Sequence, residues 1–302
     1  MLGAKVVARA KINLFLRVGD LRDDGFHEIR SVMQALELSD ELYFRVTDAR
    51  GGRVAIRCNE EDVPVGPDNL VWRAVDAFDV ETGAFGANGV QVLINKRIPV
   101  AAGLAGGSAD AAATLVALNR IFELDLTHER LGRMAAMVGS DVAFCLGGGT
   151  ALVSGRGEEV ERLEPLPPFH VVLASMGQAV FTAEVYRRLD EIRAESGAGA
   201  ESSDGILEGL LAGIRGHSFE DIYPNLRNDL ESATMAAEGV EQLKEVALGA
   251  GARAALMSGS GPTVFALVSG IEEAAEVAWE MEKIAPITIV TSFSDRGAEL
   301  KD

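Results

Sequence analysis

A glycine-rich stretch at residues 99–119 has the composition of an anion-binding loop that continues into a helix. Gly103, Gly106 and Gly107 can adopt positive φ and let the backbone approach a ligand without a Cβ clash. Helical spacing of Ala, Leu and Val starts at Ser108, which we predict to be the N-cap of the helix. The unpaired N–H groups and the positive dipole end at such a helix start favour phosphate.

Two common phosphate-binding patterns fit this stretch poorly. A Walker A loop ends in Gly-Lys-Ser or Gly-Lys-Thr, whereas Gly106-Gly107-Ser108 lacks the lysine. A dinucleotide-binding Gly-x-Gly-x-x-Gly motif has a different glycine spacing. Taken alone, the stretch is also compatible with a turn that only connects a strand to a helix.

A stripe of polar side chains near the start of the chain has two interpretations. Residues 4–18 alternate like a strand and place Lys5, Arg9, Lys11 and Asn13 on one face. Such a stripe is usually a solvated face of a sheet. If that face lines a cleft instead, it is an anion-binding surface.

A single aspartate, Asp141, stands between Ser140 and four apolar residues. It is either a helix N-cap, which this pattern favours, or a carboxylate held in place for chemistry. Because the glycine-rich stretch has no Walker lysine, positive charge for a bound anion has to come from elsewhere. Lys11 and Lys96 are the predicted sources.

The composition of the 302 residues is that of a globular protein, with 48% hydrophobic and 25% charged residues. The net charge of −18 disfavours nucleic acid as a partner. No apolar run reaches 18 residues and no secretory leader precedes the first strand, so we expect a cytoplasmic protein without a membrane span. The cysteines and histidines are scattered without metal-ligand spacing: Cys58, Cys145, His27, His128, His170 and His217.

Apolar periodicity predicts the elements of the first half. The expected strands are 42–47 and 53–58, paired around Gly51-Gly52, then 90–94 and 151–154, and the expected helices are 70–80, 108–122 and 127–138. The acidic and proline-rich segment 158–168 is the predicted domain boundary. We therefore expect two domains, residues 1–160 with the anion-binding stretch and residues 161–302.

The second half is predicted to form a small sheet with helices on one face. The expected strands are 170–174, 252–257, 263–268 and 287–293, and the expected helices are 182–189, 226–237, 240–248 and 271–284. This order is ferredoxin-like, which makes the chain an α+β protein. Residues 195–205 are low in complexity and are expected to form a surface loop.

Three motifs, read together, resemble those of the small-molecule kinases related to galactokinase, homoserine kinase, mevalonate kinase and phosphomevalonate kinase. They are Ala10-Lys11-Ile12-Asn13-Leu14, residues 99–109 and Met257-Ser258-Gly259-Ser260-Gly261. Further motifs make the chain similar to the kinases that act on a cytidine diphosphate-linked methylerythritol: Asp24-Gly25-Phe26-His27, Asp68-Asn69-Leu70, Asn95-Lys96-Arg97-Ile98-Pro99 and Gly139-Ser140-Asp141-Val142. The similarity extends from about residue 5 to residue 293.

The resemblance implies a two-domain kinase fold, with an N-terminal half like domain 2 of ribosomal protein S5 and a ferredoxin-like C-terminal half. It also implies ATP-dependent phosphorylation of the 2-hydroxyl of the methylerythritol unit, in non-mevalonate isoprenoid biosynthesis, with Mg²⁺ bound to the nucleotide. We expect a small-molecule substrate and ATP as partners, and a monomer or weak homodimer. The alternatives are a kinase of the same superfamily that acts on homoserine or a mevalonate derivative, and a non-catalytic sensor.

The resemblance also implies a role for each matched residue. Asp141 and Lys11 match the catalytic pair, and Ser108 is a candidate Mg²⁺ ligand. The residues matched to substrate binding are Lys11, Asn13, Phe26, His27, Met33, Asp141, Thr182 and Tyr186, with the cytosine between Phe26 and Tyr186 and its edge at His27. The residues matched to ATP binding are Asn69, Leu70, Lys96, Pro99, Val100, Ala101, Ala102, Gly103, Leu104, Ala105, Gly106, Gly107, Ser108 and Ala109.

Several positions depart from the pattern that these kinases most often have. Phe26 replaces a tyrosine and Met33 an aromatic residue, and Ala109 replaces a serine. Ala105 replaces a glycine and is therefore expected at negative φ. Asp110 is expected to point away from the phosphates, because it would otherwise repel them.

Overall fold

The chain forms two β-sheets flanked by helices, in a computed structural model that describes residues 3–48, 53–196 and 204–301. The described strands are β1 Gly3–Leu21, β2 His27–Asp48, β3 Val54–Cys58, β4 Asn88–Asn95, β5 Thr150–Ser154, β6 Glu159–Arg162, β7 His170–Ser175, β8 Arg227–Asn228, β9 Ala254–Met257, β10 Val264–Val268, β11 Ile287–Ser292 and β12 Glu299–Lys301. The described helices are α1 Leu70–Thr82, α2 Gly106–Ile121, α3 His128–Val138, α4 Val142–Gly147, α5 Thr182–Ser196, α6 Asp204–Gly216, α7 Phe219–Ile222, α8 Ala237–Gly249 and α9 Ile271–Glu282. The predicted turn at 51–52 and most of the predicted surface loop 195–205 lie outside the described residues.

The larger sheet is built on the long antiparallel pair of β1 and β2. Its strand order is β12-β1-β2-β4-β3, with β5 beside β2, β6 beside β5 and β8 parallel to β1. Helix α2 packs across β1, and α1, α3 and α4 pack around α2. Half of the buried residues of α2 are alanine, whose small side chains allow a helix to lie close to a sheet. This packing places the start of α2 over the middle of β1.

The predicted pairing of strands 42–47 and 53–58 is wrong. Residues 42–47 are the end of the 22-residue β2, which pairs with β4, and β3 lies on the far side of β4 in parallel. Two parallel strands need a crossover connection, and here α1 provides it between β3 and β4. The predicted helix α1 is confirmed. The side chain of Asn69 caps this helix by accepting a hydrogen bond from Val71 N at 2.8 Å.

The smaller sheet has the strand order β11-β7-β10-β9, and all its pairs are antiparallel. Helices α8 and α9 pack against it, with a second apolar core between them and the sheet. The succession of β7, α8, β9, β10, α9 and β11 is the ferredoxin-like order that the sequence predicts. The α+β fold with a ferredoxin-like second half is therefore confirmed.

The helix predicted at 226–237 is wrong. In its place the chain forms β8 and a 3₁₀ helix, Asp229–Ala233. The amide group of Asn228 donates to the carbonyl oxygens of Met257 and Gly259, and its oxygen accepts from Leu230 N. These long-range bonds fix Asn228 in an extended conformation, which a helix through this segment would not allow.

The chain crosses between the two sheets more than once. Strand β6 spans the predicted boundary at residue 160, and the first strand of the smaller sheet begins at His170. Later, β8 and β12 return to pair with β1 in the larger sheet. Over the described part of the chain, no helix has the length and hydrophobicity to span a membrane.

An aromatic cluster packs around Phe169, the residue directly before β7. The ring of Phe169 stacks on Phe219 with centroids 4.1 Å apart, and Phe293 lies at 6.0 Å.

We expect Phe169→Ala to lower the free energy of unfolding by about 3–5 kcal/mol, because it removes a buried ring and leaves a cavity. Chemical denaturation measures this. The control, Trp279→Ala, removes an exposed ring and is expected to change stability by about 0.5 kcal/mol or less; equal losses in both variants would contradict the prediction.

Candidate active site

One large cleft of ≈ 960 Å³ is lined by residues of β1 and β2, of the connections around α2 and α4, of α5 and of the loop between β9 and β10. Strand β1 contributes Lys11, and the segment before α4 contributes Asp141. Residues 99–109, which cover most of the connection after β4 and the first residues of α2, are called the glycine loop below. Nearly all of them line the cleft. Helix α5 contributes Thr182 and Tyr186 from the other side. The sequence motifs, which are far apart in the chain, therefore meet at one place.

Lys11 and Asp141 form an ion pair in this cleft. Lys11 Nζ lies 3.4 Å from Asp141 Oδ2, and it also donates to Asn13 Oδ1 at 2.7 Å and to Gly103 O at 3.4 Å. The lysine side chain is only 4% exposed, whereas the carboxylate is 28% exposed and faces the cleft. Within the described residues, the Asp141 side chain makes no capping bond to α4. The N-cap interpretation is therefore not supported by a hydrogen bond, and the carboxylate held for chemistry remains a prediction.

The polar stripe of β1 divides into two parts. Lys11 and Asn13 line the cleft, while Arg9 binds Glu299 Oε2 at 3.0 Å, outside the cleft. Asn13 donates to Ser31 Oγ at 2.8 Å, and Ser31 in turn donates to a backbone carbonyl of β1. This chain of bonds turns the carbonyl oxygen of Asn13 toward the ammonium group of Lys11. Ser31 carries no local signal in the sequence, since only the pairing of β1 with β2 brings it here.

The glycine loop approaches α2 through three residues with positive φ: Ala101 at 52°, Gly103 at 77° and Ala105 at 57°. Helix α2 begins at Gly106 with Ala105 as its N-cap, so the predictions of Ser108 as N-cap and of negative φ at Ala105 are wrong. The helix starts earlier because the loop is held against a second glycine loop, residues 258–262. A Cβ at Gly103 would lie 2.2 Å from Ser258 O, a contact that only glycine avoids.

One carbonyl group connects the three sequence motifs. Gly103 O accepts hydrogen bonds from Lys11 Nζ at 3.4 Å and from Ser258 Oγ at 3.0 Å. The second glycine loop is itself tied to β8, because Asn228 donates to Gly259 O at 2.7 Å. The glycine loop, β1 and the loop between β9 and β10 of the smaller sheet are therefore fixed to one another at this point.

Lys96 does not supply a free positive charge to the cleft. Its Nζ donates to Asp40 Oδ2 and, at 2.9 Å, to Asp110 Oδ2, and all three side chains are buried. Burial works to lower the pKa of Lys96, but the two carboxylates outweigh it and the pKa is raised. Burial raises the pKa of Asp110 to about 8, against the opposing effect of Lys96. Asp110 thus points toward Lys96, and its charge is compensated beneath the glycine loop.

The opposite end of the cleft carries aromatic side chains. The rings of His27 and Tyr186 lie 5.2 Å apart at a 38° tilt, and His27 Nε2 is 2.9 Å from Asp190 Oδ1. Burial raises the pKa of Tyr186, which keeps its phenol neutral. Phe26 is 48% exposed and has the guanidinium carbon of Arg156 5.2 Å from its ring centroid. Asp190 and Arg156 were not predicted from the sequence.

Two predicted site residues lie outside the cleft lining formed by the described residues. Met33 is buried in the core directly opposite Asn13 in the β1–β2 register, and Ala109 faces the core from α2. Met33 is 1% exposed and does not line the cleft, so the structure does not place it in the predicted substrate pocket. The other predicted site residues all line the cleft, and Thr182 Oγ1 lies 3.0 Å from Ser260 Oγ of the second glycine loop.

Two family models match the chain: GHMP kinases N terminal domain over residues 69–149, and GHMP kinases C terminal over residues 210–285. The chain is 42% identical over 292 residues to the 4-diphosphocytidyl-2-C-methyl-D-erythritol kinase of Pelotomaculum thermopropionicum, covering 96% of this chain and 98% of that protein. The protein of the same name from Rhodococcus jostii is 42% identical over 280 residues, covering 91% and 88%.

Solved structures agree with this fold. A crystal structure of 4-(cytidine 5'-diphospho)-2C-methyl-D-erythritol kinase has a TM-score of 0.76 and 30% sequence identity, covering 96% of this chain and 99% of that one. The homoserine kinase of Cytophaga hutchinsonii has a TM-score of 0.77 at 22% identity, covering 100% and 98%. The second likeness establishes the fold alone.

The positive φ of Ala105 can be tested by substitution. An alanine in the left-handed region costs about 1–2 kcal/mol, so we expect Ala105→Gly to raise the free energy of unfolding by about 0.5–1 kcal/mol after the added freedom of the unfolded chain. The matched variant Ala109→Gly lies inside α2 and is expected to lower it by about 1 kcal/mol or more. Urea denaturation compares the two, and a loss of stability in both variants would contradict the left-handed conformation.

Proposed function

The chain belongs to the 4-diphosphocytidyl-2-C-methyl-D-erythritol kinases of the GHMP kinase superfamily, and we propose that Lys11 and Asp141 carry out its phosphoryl transfer. It is an ATP-dependent phosphotransferase that phosphorylates CDP-methylerythritol in the non-mevalonate isoprenoid pathway. The acceptor atom that we propose is the 2-hydroxyl oxygen of the methylerythritol unit. The observation that carries the proposal is the ion pair of Lys11 with a carboxylate that faces the cleft beside the glycine loop.

In the proposed reaction, the hydroxyl oxygen attacks the γ-phosphorus of ATP and the bond to the β–γ bridging oxygen breaks, which releases ADP. Asp141 orients the hydroxyl group and accepts its proton. Lys11 Nζ lies 3.4 Å from that carboxylate and is proposed to lie beside the path of the phosphoryl group. Phosphoryl transfer depends mainly on positioning and on charge stabilisation, so these two side chains and a set of N–H donors are sufficient protein groups.

The nucleotide is proposed to bind along the glycine loop and the start of α2. The first N–H groups of this 16-residue helix have no partner within it, and together with the helix dipole they favour phosphate oxygens. Asn69 and Leu70 line the same end of the cleft and are proposed to contact the adenosine. Because both polar atoms of the Asn69 side chain are already bonded, to Val71 N and Pro64 O, its contribution is shape rather than a new hydrogen bond.

Mg²⁺ is the metal that we propose to accompany ATP. This ion keeps several waters and is held largely by substrate phosphates with one or two protein oxygens. Ser108 and Asp141 present side-chain oxygens of the required kind along the cleft, so the residues fit such an ion. When bound, Mg²⁺ would neutralise charge on the transferring phosphoryl group.

The cytidine end of the substrate is proposed to bind among the aromatic side chains. Phe26 is half exposed and available for stacking, and Tyr186 presents a neutral ring close to His27. Asp190 holds one ring nitrogen of His27, which fixes the orientation of the imidazole that is proposed to contact the cytosine edge. Thr182 lies between this end and the second glycine loop.

We also propose the arrangement and setting of the enzyme. Residues 1–160 are proposed to act as the ATP-binding and catalytic domain, and residues 161–302 as the ferredoxin-like domain that completes the cleft. A cytoplasmic monomer or weak homodimer is the expected state, and sedimentation over a range of concentrations measures the association.

The role of Asp141 predicts a split between binding and turnover. We expect Asp141→Asn to lower kcat by about 10²–10⁴, because the proton acceptor is lost, while the Kd of metal-free ATP stays close to its original value. The variant should still fold, with a lower melting temperature because the buried Lys11 loses its ion-pair partner. A coupled ADP-release assay with 4-diphosphocytidyl-2-C-methyl-D-erythritol measures kcat. Asp190→Asn is the control, a second carboxylate of the cleft whose loss is expected to raise the KM of that substrate more than it lowers kcat. Turnover of Asp141→Asn near the original value would exclude the proposed role.

The cytidine site predicts selectivity that an assay can resolve. We expect turnover with the cytidine diphosphate substrate and none with homoserine or mevalonate, which have no base to stack. Phe26→Leu is expected to raise the KM of the cytidine substrate about five-fold, for a lost aromatic contact of about 1 kcal/mol, with the KM of ATP unchanged. Phe26→Tyr keeps the ring and serves as the matched control. Equal KM changes for both substrates would place Phe26 outside the cytidine site.

A further inference from the structure

A second buried ammonium group lies beneath the glycine loop, away from the reacting atoms. Lys96 Nζ is bonded to Asp40 on β2 and to Asp110 on α2, and the three side chains are called the buried triad below. The side chains of Asp40 and Lys96 are 0% and 4% exposed. Asp40 takes no part in the proposed phosphoryl transfer, and nothing in the local sequence marks it as part of the site.

Asp40 fixes the start of the segment that becomes the glycine loop. Its Oδ1 accepts from Arg97 N at 2.6 Å and from Ile98 N at 2.9 Å. The paired residues of β2 and β4 end at Glu41 and Asn95, and Lys96 N then donates to Asn59 Oδ1 at 2.6 Å. The N–H groups of residues 97 and 98 are the next to leave the sheet. The carboxylate therefore continues the strand pairing with a side chain and directs the backbone out of the sheet.

Lys96 fixes the other end of the same loop. Its bond to Asp110 Oδ2 at 2.9 Å reaches the second turn of α2. A Cβ at Gly106, the first residue of α2, would lie 3.0 Å from Lys96 Nζ and 3.1 Å from Ile98 Cγ2. The lysine thus packs directly under the helix start, and both ends of the glycine loop are held by one network of three side chains.

The charges of the triad also suit a phosphate site above it. Two carboxylates face one ammonium group, and burial raises the pKa of Asp110. A raised pKa favours the protonated form of this carboxyl group, which limits the negative charge beneath the phosphates. One oxygen of Asp110 has no hydrogen-bond partner among the described residues.

We propose that Asp40 is a positioning residue for the nucleotide: through Lys96 and the N–H groups of residues 97 and 98, it holds the glycine loop in the shape that receives the phosphates of ATP. This inference rests on the use of ATP by the proposed reaction and goes beyond it. Asp40 touches no reacting atom. Its loss should therefore weaken the binding of phosphate-bearing nucleotides more than the binding of adenosine, whose contacts lie at Asn69 and Leu70.

The test is the affinity of Asp40→Asn for ATP, ADP and adenosine, measured by calorimetry on the full chain. We expect the Kd of ATP and ADP to rise about ten-fold and that of adenosine to change less than two-fold. The KM of ATP should rise while that of the second substrate stays constant. Because the assay of binding needs no second substrate, it fails or succeeds independently of the proposed acceptor. An equal loss of affinity for adenosine and ATP, or no loss in the folded variant, would overturn the proposal.

Stability and positioning are separated by two further variants. Replacing a complete buried ion-pair group by apolar side chains of similar size often preserves stability, so the triple variant Asp40→Leu, Lys96→Met and Asp110→Leu is expected to fold even if Asp40→Asn does not. It should still show the ten-fold loss for ATP, and recovery of full ATP affinity would overturn the proposal. The control, Lys244→Met, removes a half-buried ion pair with Glu231 near α8. It is expected to lower the melting temperature without changing the ratio of ATP to adenosine affinity.

Discussion

The burial of the Lys11 ammonium group is the constraint on which the active site depends. A charge removed from water must be paired and hydrogen-bonded, or the folded state loses several kcal/mol. Lys11 finds its partners in three places: Asn13 on its own strand, Gly103 O in the glycine loop and Asp141 before α4. Because these segments are distant in the sequence, the need to compensate one ammonium group brings the parts of the cleft together.

The two buried lysines of the cleft both pair with carboxylates, but their partners differ in exposure. Lys11 pairs with Asp141, whose carboxylate is 28% exposed toward the cleft, so one partner remains accessible to a substrate. Lys96 pairs with Asp40 and Asp110, whose side chains are 0% and 4% exposed, so its partners are closed off. The exposure of the carboxylate, rather than the presence of the pair, separates an arrangement suited to proton transfer from one suited to support.

Local signals in the sequence predict part of this arrangement and long-range pairing decides the rest. Helix α1 was predictable because Asn69 caps it within two residues. The left-handed conformation of Ala105 was not, because it follows from the contact of the glycine loop with residues 258–262. Asp40 is one of 46 acidic residues, and its partners lie at least 56 positions away. Met33 was placed in the pocket by resemblance, but its side chain is buried in the core.

The acidic composition of the chain and its phosphate-bearing ligands are compatible for a structural reason. Acidic groups on the distant surface are screened, since the Debye length is about 8 Å at physiological ionic strength. Within the cleft, Lys96 is neutralised by the triad and Lys11 is shared with Asp141, so side-chain cations alone give little excess positive charge. The attraction for the nucleotide phosphates then has to come largely from the backbone N–H groups of the glycine loop, the α2 dipole and the Mg²⁺ ion that is proposed to accompany ATP. Such donors act only where the backbone is held in one shape, which makes the fixed ends of the glycine loop more important than the number of cations around it.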